Sequence, residues 1–171
     1  MSRLVVQHKW MMICEDKYGT PFLEMTPGDG TMVVALNTKG EVLLQSEFSP
    51  AYDRLVYYLP GGGIESGESP VESANRELQE EAGYKAARLD AVGVIYPFMK
   101  YLRGCLYVFL ARDLTPSKLQ GDETTEIIVN PLPFADFETW IADGRLQDSN
   151  VIAALYRARS FLANEVKGCT L

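Results

Sequence analysis

Short apolar blocks punctuated by polar turns run through the first third of this 171-residue chain, a rhythm of strands rather than helices. Met32-Val33-Val34-Ala35-Leu36 and Val42-Leu43-Leu44 flank Asn37-Thr38-Lys39-Gly40, a polar, glycine-containing connection that predicts a hairpin. Trp10 to Cys14 and Pro21 to Met25 predict a second pair around Lys17-Tyr18-Gly19, so residues about 3–26 read as N-terminal strands. Leu55 to Leu59 predicts a further strand ending at Pro60. The pattern then changes. Pro60-Gly61-Gly62-Gly63 opens a loop, and Ser69-Pro70-Val71-Glu72 announces a helix, with Ser69 as N-cap, Pro70 in the first turn and Glu72 closing a capping box. Gly83 should stop that helix after Ala82. Strands are predicted at Ala91 to Tyr96, Cys105 to Ala111 and Glu126 to Val129, and helices at Pro133 to Ala142 and Ser149 to Ala163. Strand blocks interrupted by one helix and closed by others indicate an α+β fold, with a mixed sheet and covering helices in a single domain spanning 1–171.

Composition narrows the function. The formal charge is −7, which argues against a broad grip on nucleic acid. No apolar run approaches the roughly 18 residues of a membrane span. His8 and Lys9 interrupt the short stretch Leu4-Val5-Val6, so no signal-peptide core is visible and a cytoplasmic protein is expected. Cys14, Cys105 and Cys169 form no Cys-x-x-Cys pair, and His8 is the only histidine, which argues against zinc. The chemistry must come from carboxylates, hydroxyls, Lys and Arg.

The helix from Pro70 supplies them. At 100° per residue Val71, Ala74, Leu78 and Ala82 share an arc of roughly 80° and form the expected buried stripe. Glu77, Glu80 and Glu81 share the neighbouring face, with Glu77 and Glu81 at i and i+4 so that their carboxylates can converge. Their mutual repulsion is relieved by a hard divalent cation, since Mg²⁺ or Mn²⁺ prefers oxygen ligands. A solvated Glu-rich face is the plainer alternative. Against it stands the preceding glycine loop, where backbone can approach a phosphate or offer a carbonyl to a metal. Glu68 also stands at the helix entry, within reach of Arg76.

Gly62, five residues, Glu68, seven residues and then Arg76-Glu77-Leu78-Gln79-Glu80-Glu81-Ala82-Gly83-Tyr84 resembles the Nudix box over residues 62–84. Only Tyr84 departs, an aromatic where the family usually has an aliphatic residue. The resemblance implies an α/β/α sandwich with a mixed sheet and Mg²⁺-dependent hydrolysis of a nucleoside diphosphate linked to another moiety, with Mn²⁺ as a possible substitute. It implies Glu77 and Glu81 as principal metal ligands, Glu80 as a further ligand or water contact, and the Gly61 carbonyl completing the shell. Glu68 and Arg76 become supports with a smaller catalytic role, and Gly62 borders the substrate.

Outside the box the chain looks most like the ADP-ribose pyrophosphatase and nucleoside-diphosphate-sugar group. Tyr58-Leu59-Pro60-Gly61-Gly62 is similar to that group's lead-in, and Phe109-Leu110-Ala111-Arg112-Asp113-Leu114 to its strand end. Asp122-Glu123 followed by Glu126 resembles the acidic loop that brings the catalytic base, making Glu123 the first candidate and Glu126 the second. Lys100 and Arg103, in the loop after the strand following the box, are candidates to meet substrate phosphates. Glu47-Phe48-Ser49 and Pro97-Phe98-Met99-Lys100 differ from the group's patterns, so the substrate is ADP-ribose, another nucleotide sugar or a dinucleotide. A triphosphate pyrophosphatase and a catalytically inactive ligand-sensing domain are the competing readings. The group usually pairs as a homodimer through its N-terminal strands. The expected partner is thus a small nucleoside diphosphate, with neither nucleic acid nor membrane.

Overall fold

The computed structural model describes residues 3–26, 28–121 and 127–168. The strongest apolar run becomes a fully buried strand. In β4 (Gly30–Ala35) every residue is buried, because both faces are covered. Met32 and Val34 pack into one cluster with Phe137 of α2 (Phe137–Ala142) and with Val151, Ala154, Leu155 and Ala158 of α3 (Ser149–Gly168). Val33 and Ala35 pack into another with Ala74 of α1 (Pro70–Glu77) and with Leu78 and Ala82 beyond it. The two-residue period of a strand therefore sorts the core into two layers, one on each face. The result is the mixed-sheet, helix-flanked fold that the sequence predicts.

Among the described residues three sheets build it: β4 with β9 (Leu106–Pro116) and β7 (Tyr84–Ile95); β10 (Ile128–Pro133) with β5 (Glu41–Ser49) and β6 (Arg54–Tyr58); and β1 (Arg3–Gln7), β2 (Met11–Glu15), β3 (Pro21–Met25) and β8 (Leu102–Arg103). The predicted β4–β5 hairpin forms its turn, closed by Asn37 N–H to the Glu41 carbonyl and a bridge between Leu36 and Val42. The two strands then part: β4 pairs parallel with β9, and β5 antiparallel with β10 and β6. A turn signal fixes local reversal but not the partner that buries each face.

The first predicted helix forms with the expected box, Ser69 Oγ accepting from Glu72 N–H and the Glu72 carboxylate accepting from Ser69 N–H at 2.9 Å. Its second half widens. Leu78–Ala82 is a π turn, ended by Gly83 at φ 77°, whose N–H reaches back to the Leu78 carbonyl. Asn75 clasps the helix to β7 through both the N–H and carbonyl of Ala86. Val71, expected in the core, is 43% exposed, while Glu77 and Glu81 turn inward. The N-terminal strands gain little cover: all of β1 is exposed, and Trp10, Met11 and Ile13 stay at the surface. Among the described residues no helix is long and apolar enough to cross a membrane.

An ion network ties α3 to the β4 sheet. Arg112 bonds Asp90 and Glu165, and Arg88 bonds Glu165 at 2.6 Å. Hydrogen bonding from Arg112, then from Arg88, holds the Glu165 carboxyl down at about 2, against an ordinary 4.5. A carboxylate depressed on folding contributes stability above its unfolded value and loses it as pH falls through the folded one. Glu165→Gln is therefore expected to flatten the acid limb of Tm between about pH 4.5 and about pH 2. Thermal melts of both proteins across that range check this; parallel limbs would refute it.

Candidate active site

The glycine loop runs beside β4, where Thr31 N–H donates to the Gly62 carbonyl and Val33 N–H to the Pro60 carbonyl. Side chains have no room there. A Cβ on Gly61 would overlap the Thr31 carbonyl oxygen, and one on Gly62 would lie 2.7 Å from Glu77 Cδ. These two glycines are thus the condition for the loop to lie between a buried strand and the acidic helix.

Behind the loop, Arg76 gathers three of the predicted residues. Its guanidinium donates to Glu68 (2.9 Å), Glu77 (2.8 Å), Glu80 (3.0 Å) and the Gly63 carbonyl. The hydrogen bond that Arg76 donates to Glu68, with Glu77 adding to it, raises the already high proton affinity of Arg76, which stays charged. Arg76 in turn holds the Glu68 carboxyl below its ordinary value. Glu81 is held separately: Gln45 Nε2 and Gly61 N–H both donate to its Oε2, each at 2.8 Å. Glu77 and Glu81 are each only 7% exposed.

Side chains bond backbone carbonyls around the π turn. Gln79 Nε2 donates to the Asn75 carbonyl, while Lys118 Nζ donates to that of Glu80. Ser117 N–H bonds the Gly83 carbonyl. The loop after β9 therefore clamps the acidic end of the helix.

Glu81, Gly61 and Gly62 line a cleft of about 450 Å³, walled by Trp10, Gln45 and Tyr58. Burial, with the charges of Asp148 and Glu47 adding to it, pushes the Tyr58 phenol up. Gln45, Glu47, Tyr58 and Asp29 of this cleft were not legible as site residues. Gln45 meets Glu81 across 36 positions of sequence, which only the packing of β5 against the loop brings about. Lys100 and Arg103 are not brought to this cleft. The pairing of β8 with β3 carries them to another depression, where Arg103 bonds Glu24 at 3.2 Å and lies over Phe22. Glu123 and Glu126 lie outside the described residues.

The donor set suits a hard cation. Four carboxylates, Glu68, Glu77, Glu80 and Glu81, share the guanidinium of Arg76 and neutral donors that include Gln45 Nε2, Gly61 N–H and Glu65 N–H, and among the described residues Gln45 Oε1 is buried without a partner. Among the described residues, no three acidic, His or Cys side chains already surround one point.

Comparison with known proteins agrees with the architecture. The model of the NUDIX domain matches residues 26–155. The chain belongs to the Nudix family. Among curated relatives of this Nudix protein, the ADP-ribose pyrophosphatase of Bacillus subtilis (strain 168) is 31% identical over 56% of the chain. The chain spans about half of that relative's length (54%). The ADP compounds hydrolase NudE of Escherichia coli (strain K12) is 26% identical over 82% of the chain and 75% of its own length. The GDP-mannose pyrophosphatase of Yersinia enterocolitica serotype O:8 / biotype 1B (strain NCTC 13174 / 8081) is 27% identical over 89% and 86%. A crystal structure of an ADP compounds hydrolase superposes with a TM-score of 0.80 at 23% identity, over 96% of this chain and 93% of that one, which establishes the shared fold.

Proposed function

We propose that this Nudix hydrolase cleaves the pyrophosphate bond of ADP-ribose or a related nucleoside diphosphate sugar, releasing a nucleoside monophosphate and a sugar phosphate. The observation that carries the reading is Glu81, a nearly buried carboxylate fixed by two donors at the wall of a cleft that the glycine loop also lines. Glu77, Glu80 and Glu81 would hold Mg²⁺, or Mn²⁺ in its place. The Gly61 carbonyl would join them, in a loop whose Pro60 and Gly62 carbonyls are taken up by β4. When bound, the cation neutralises pyrophosphate oxygens and lowers the pKa of a coordinated water.

The chain's own residues supply the rest. Arg76 keeps Glu68, Glu77 and Glu80 in fixed orientations without neutralising all of them. Gly62, bare of side chain, lets a phosphate approach the backbone. Glu123 and Glu126 remain the candidates to orient the attacking water. The described residues that precede them, Ser117 and Leu119, bond the carbonyls of Gly83 and Gln79 at the acidic end of the helix. Lys100 and Arg103 have no part in this reading.

The names of the relatives support the substrate class. The test is a panel of ADP-ribose, GDP-mannose and nucleoside triphosphates with Mg²⁺, with products separated by anion-exchange chromatography. A diphosphate sugar should give the highest kcat/KM. Triphosphates cleaved far faster would overturn the substrate assignment, and hydrolysis of none would favour the ligand-sensing alternative.

A further inference from the structure

Gln45 is 5% exposed, at a position in β5 where a strand buried on both sides calls for an apolar residue. Its orientation is fixed chemically. An ionised carboxylate only accepts, so the group facing Glu81 Oε2 at 2.8 Å must be the amide nitrogen. That leaves Oε1 directed elsewhere, buried and, among the described residues, with no hydrogen-bond partner. A buried carbonyl without a donor is costly, and native proteins retain few of them. The adjoining groups do not relieve it: Gly61 N–H is spent on the same Glu81 oxygen, and Glu47, the next acid along β5, is an acceptor when ionised. Gln45 lines the cleft, so whatever enters it can supply that donor.

We infer that Gln45 is a positioning residue for the cation site, its Nε2 fixing Glu81 and its Oε1 accepting a hydrogen bond from a water of the bound cation's shell. The inference rests on the reading of Glu81 as a ligand given above. Hard divalent cations such as Mg²⁺ retain several waters, each an unusually strong donor because the cation withdraws charge from it. One amide thereby addresses both the ligand and the shell, and the polar residue in an apolar strand acquires a reason. Partners that orient a ligand in this way typically change metal affinity by about 10–100-fold when removed.

The test is Mn²⁺ binding to the full chain, followed by electron paramagnetic resonance, in wild type and in Gln45→Met, which keeps the length and loses both hydrogen-bonding groups. The variant is expected to bind about tenfold more weakly; losing the donor to Glu81 lowers Tm in EDTA and losing the unpaired carbonyl raises it, so affinity is the readout. A merely structural glutamine leaves the affinity unchanged whatever happens to Tm, and that result overturns the inference. Absence of Mn²⁺ binding in wild type would overturn the ligand reading of Glu81 and this inference with it; equal affinities overturn this inference alone. Should Gln45→Met fail to fold, the side-chain amide of Gln45, selectively ¹⁵N-labelled in wild type, gives the readout. Its resonances should shift on Mg²⁺ addition, and unmoved resonances at saturation would count against the role.

Discussion

Replacing Glu81 by Gln is expected to lower kcat about a thousandfold, roughly 4 kcal/mol in the activation barrier, while leaving the fold intact. The second half of that expectation follows from an atomic detail. Gln45 Nε2 and Gly61 N–H converge on a single oxygen of Glu81, so the one carbonyl oxygen of a glutamine can receive both. The amide nitrogen then occupies the place of the other oxygen, and the negative charge is lost. Removing one negative charge from a cluster of four carboxylates should leave Tm in EDTA unchanged or higher. The loss of activity would then belong to the site rather than to unfolding. Steady-state kinetics with ADP-ribose and Mg²⁺, beside thermal melts in EDTA, decide it. A folded variant retaining activity within a few-fold of wild type would contradict the role of Glu81.

The site was partly legible before the fold because its residues are local. A capping box, a glycine loop and a run of acids on one helix lie within residues 61–84, and short-range physics places them relative to one another. What was not legible depends on distant partners or on backbone detail. The inward turn of Glu77 and Glu81, at the expense of Val71, reflects how α1 seats on β4 and β7 rather than its own hydrophobic arc. A π turn has no residue signature comparable with a cap, and the side chains that satisfy it come from as far away as Lys118. Gln45 reads as an interruption in an apolar strand until packing sets it against Glu81. Lys100 and Arg103 looked available to a phosphate because they are cations in a loop. The pairing of Leu102–Arg103 with β3, invisible in so short a strand, takes them elsewhere. The β4–β5 turn shows the same limit on the scale of the fold: local residues specified the reversal, and β9 and β10 decided the sheets.

Two adjacent glycine substitutions should separate fold from chemistry in the loop. At Gly61, a methyl group would overlap the Thr31 carbonyl oxygen and lie 3.0 Å from Met32 Cα. Both belong to the backbone of β4, which is buried along its whole length and cannot give way without moving the two core layers it separates. Gly61→Ala is therefore expected to destabilise the protein by about 3 kcal/mol, near the upper end of overpacking costs. At Gly62, the obstacle is the carboxylate of Glu77, with Cδ 2.7 Å from the new methyl. That is the end of a side chain, and it can rotate away by giving up its bond to Arg76. Gly62→Ala should thus cost only about 1 kcal/mol in stability, yet displace a ligand and reduce kcat about a hundredfold. Urea denaturation in EDTA measures the first quantity for both variants, and kcat measured well below either unfolding transition gives the second. The expected outcome is an inversion: Gly61→Ala the less stable protein, and Gly62→Ala the less active one per folded molecule. Equal losses of stability would mean that Glu77 is as immovable as the strand. Full activity in Gly62→Ala would mean that the position of Glu77 does not matter to the reaction, which the metal reading forbids.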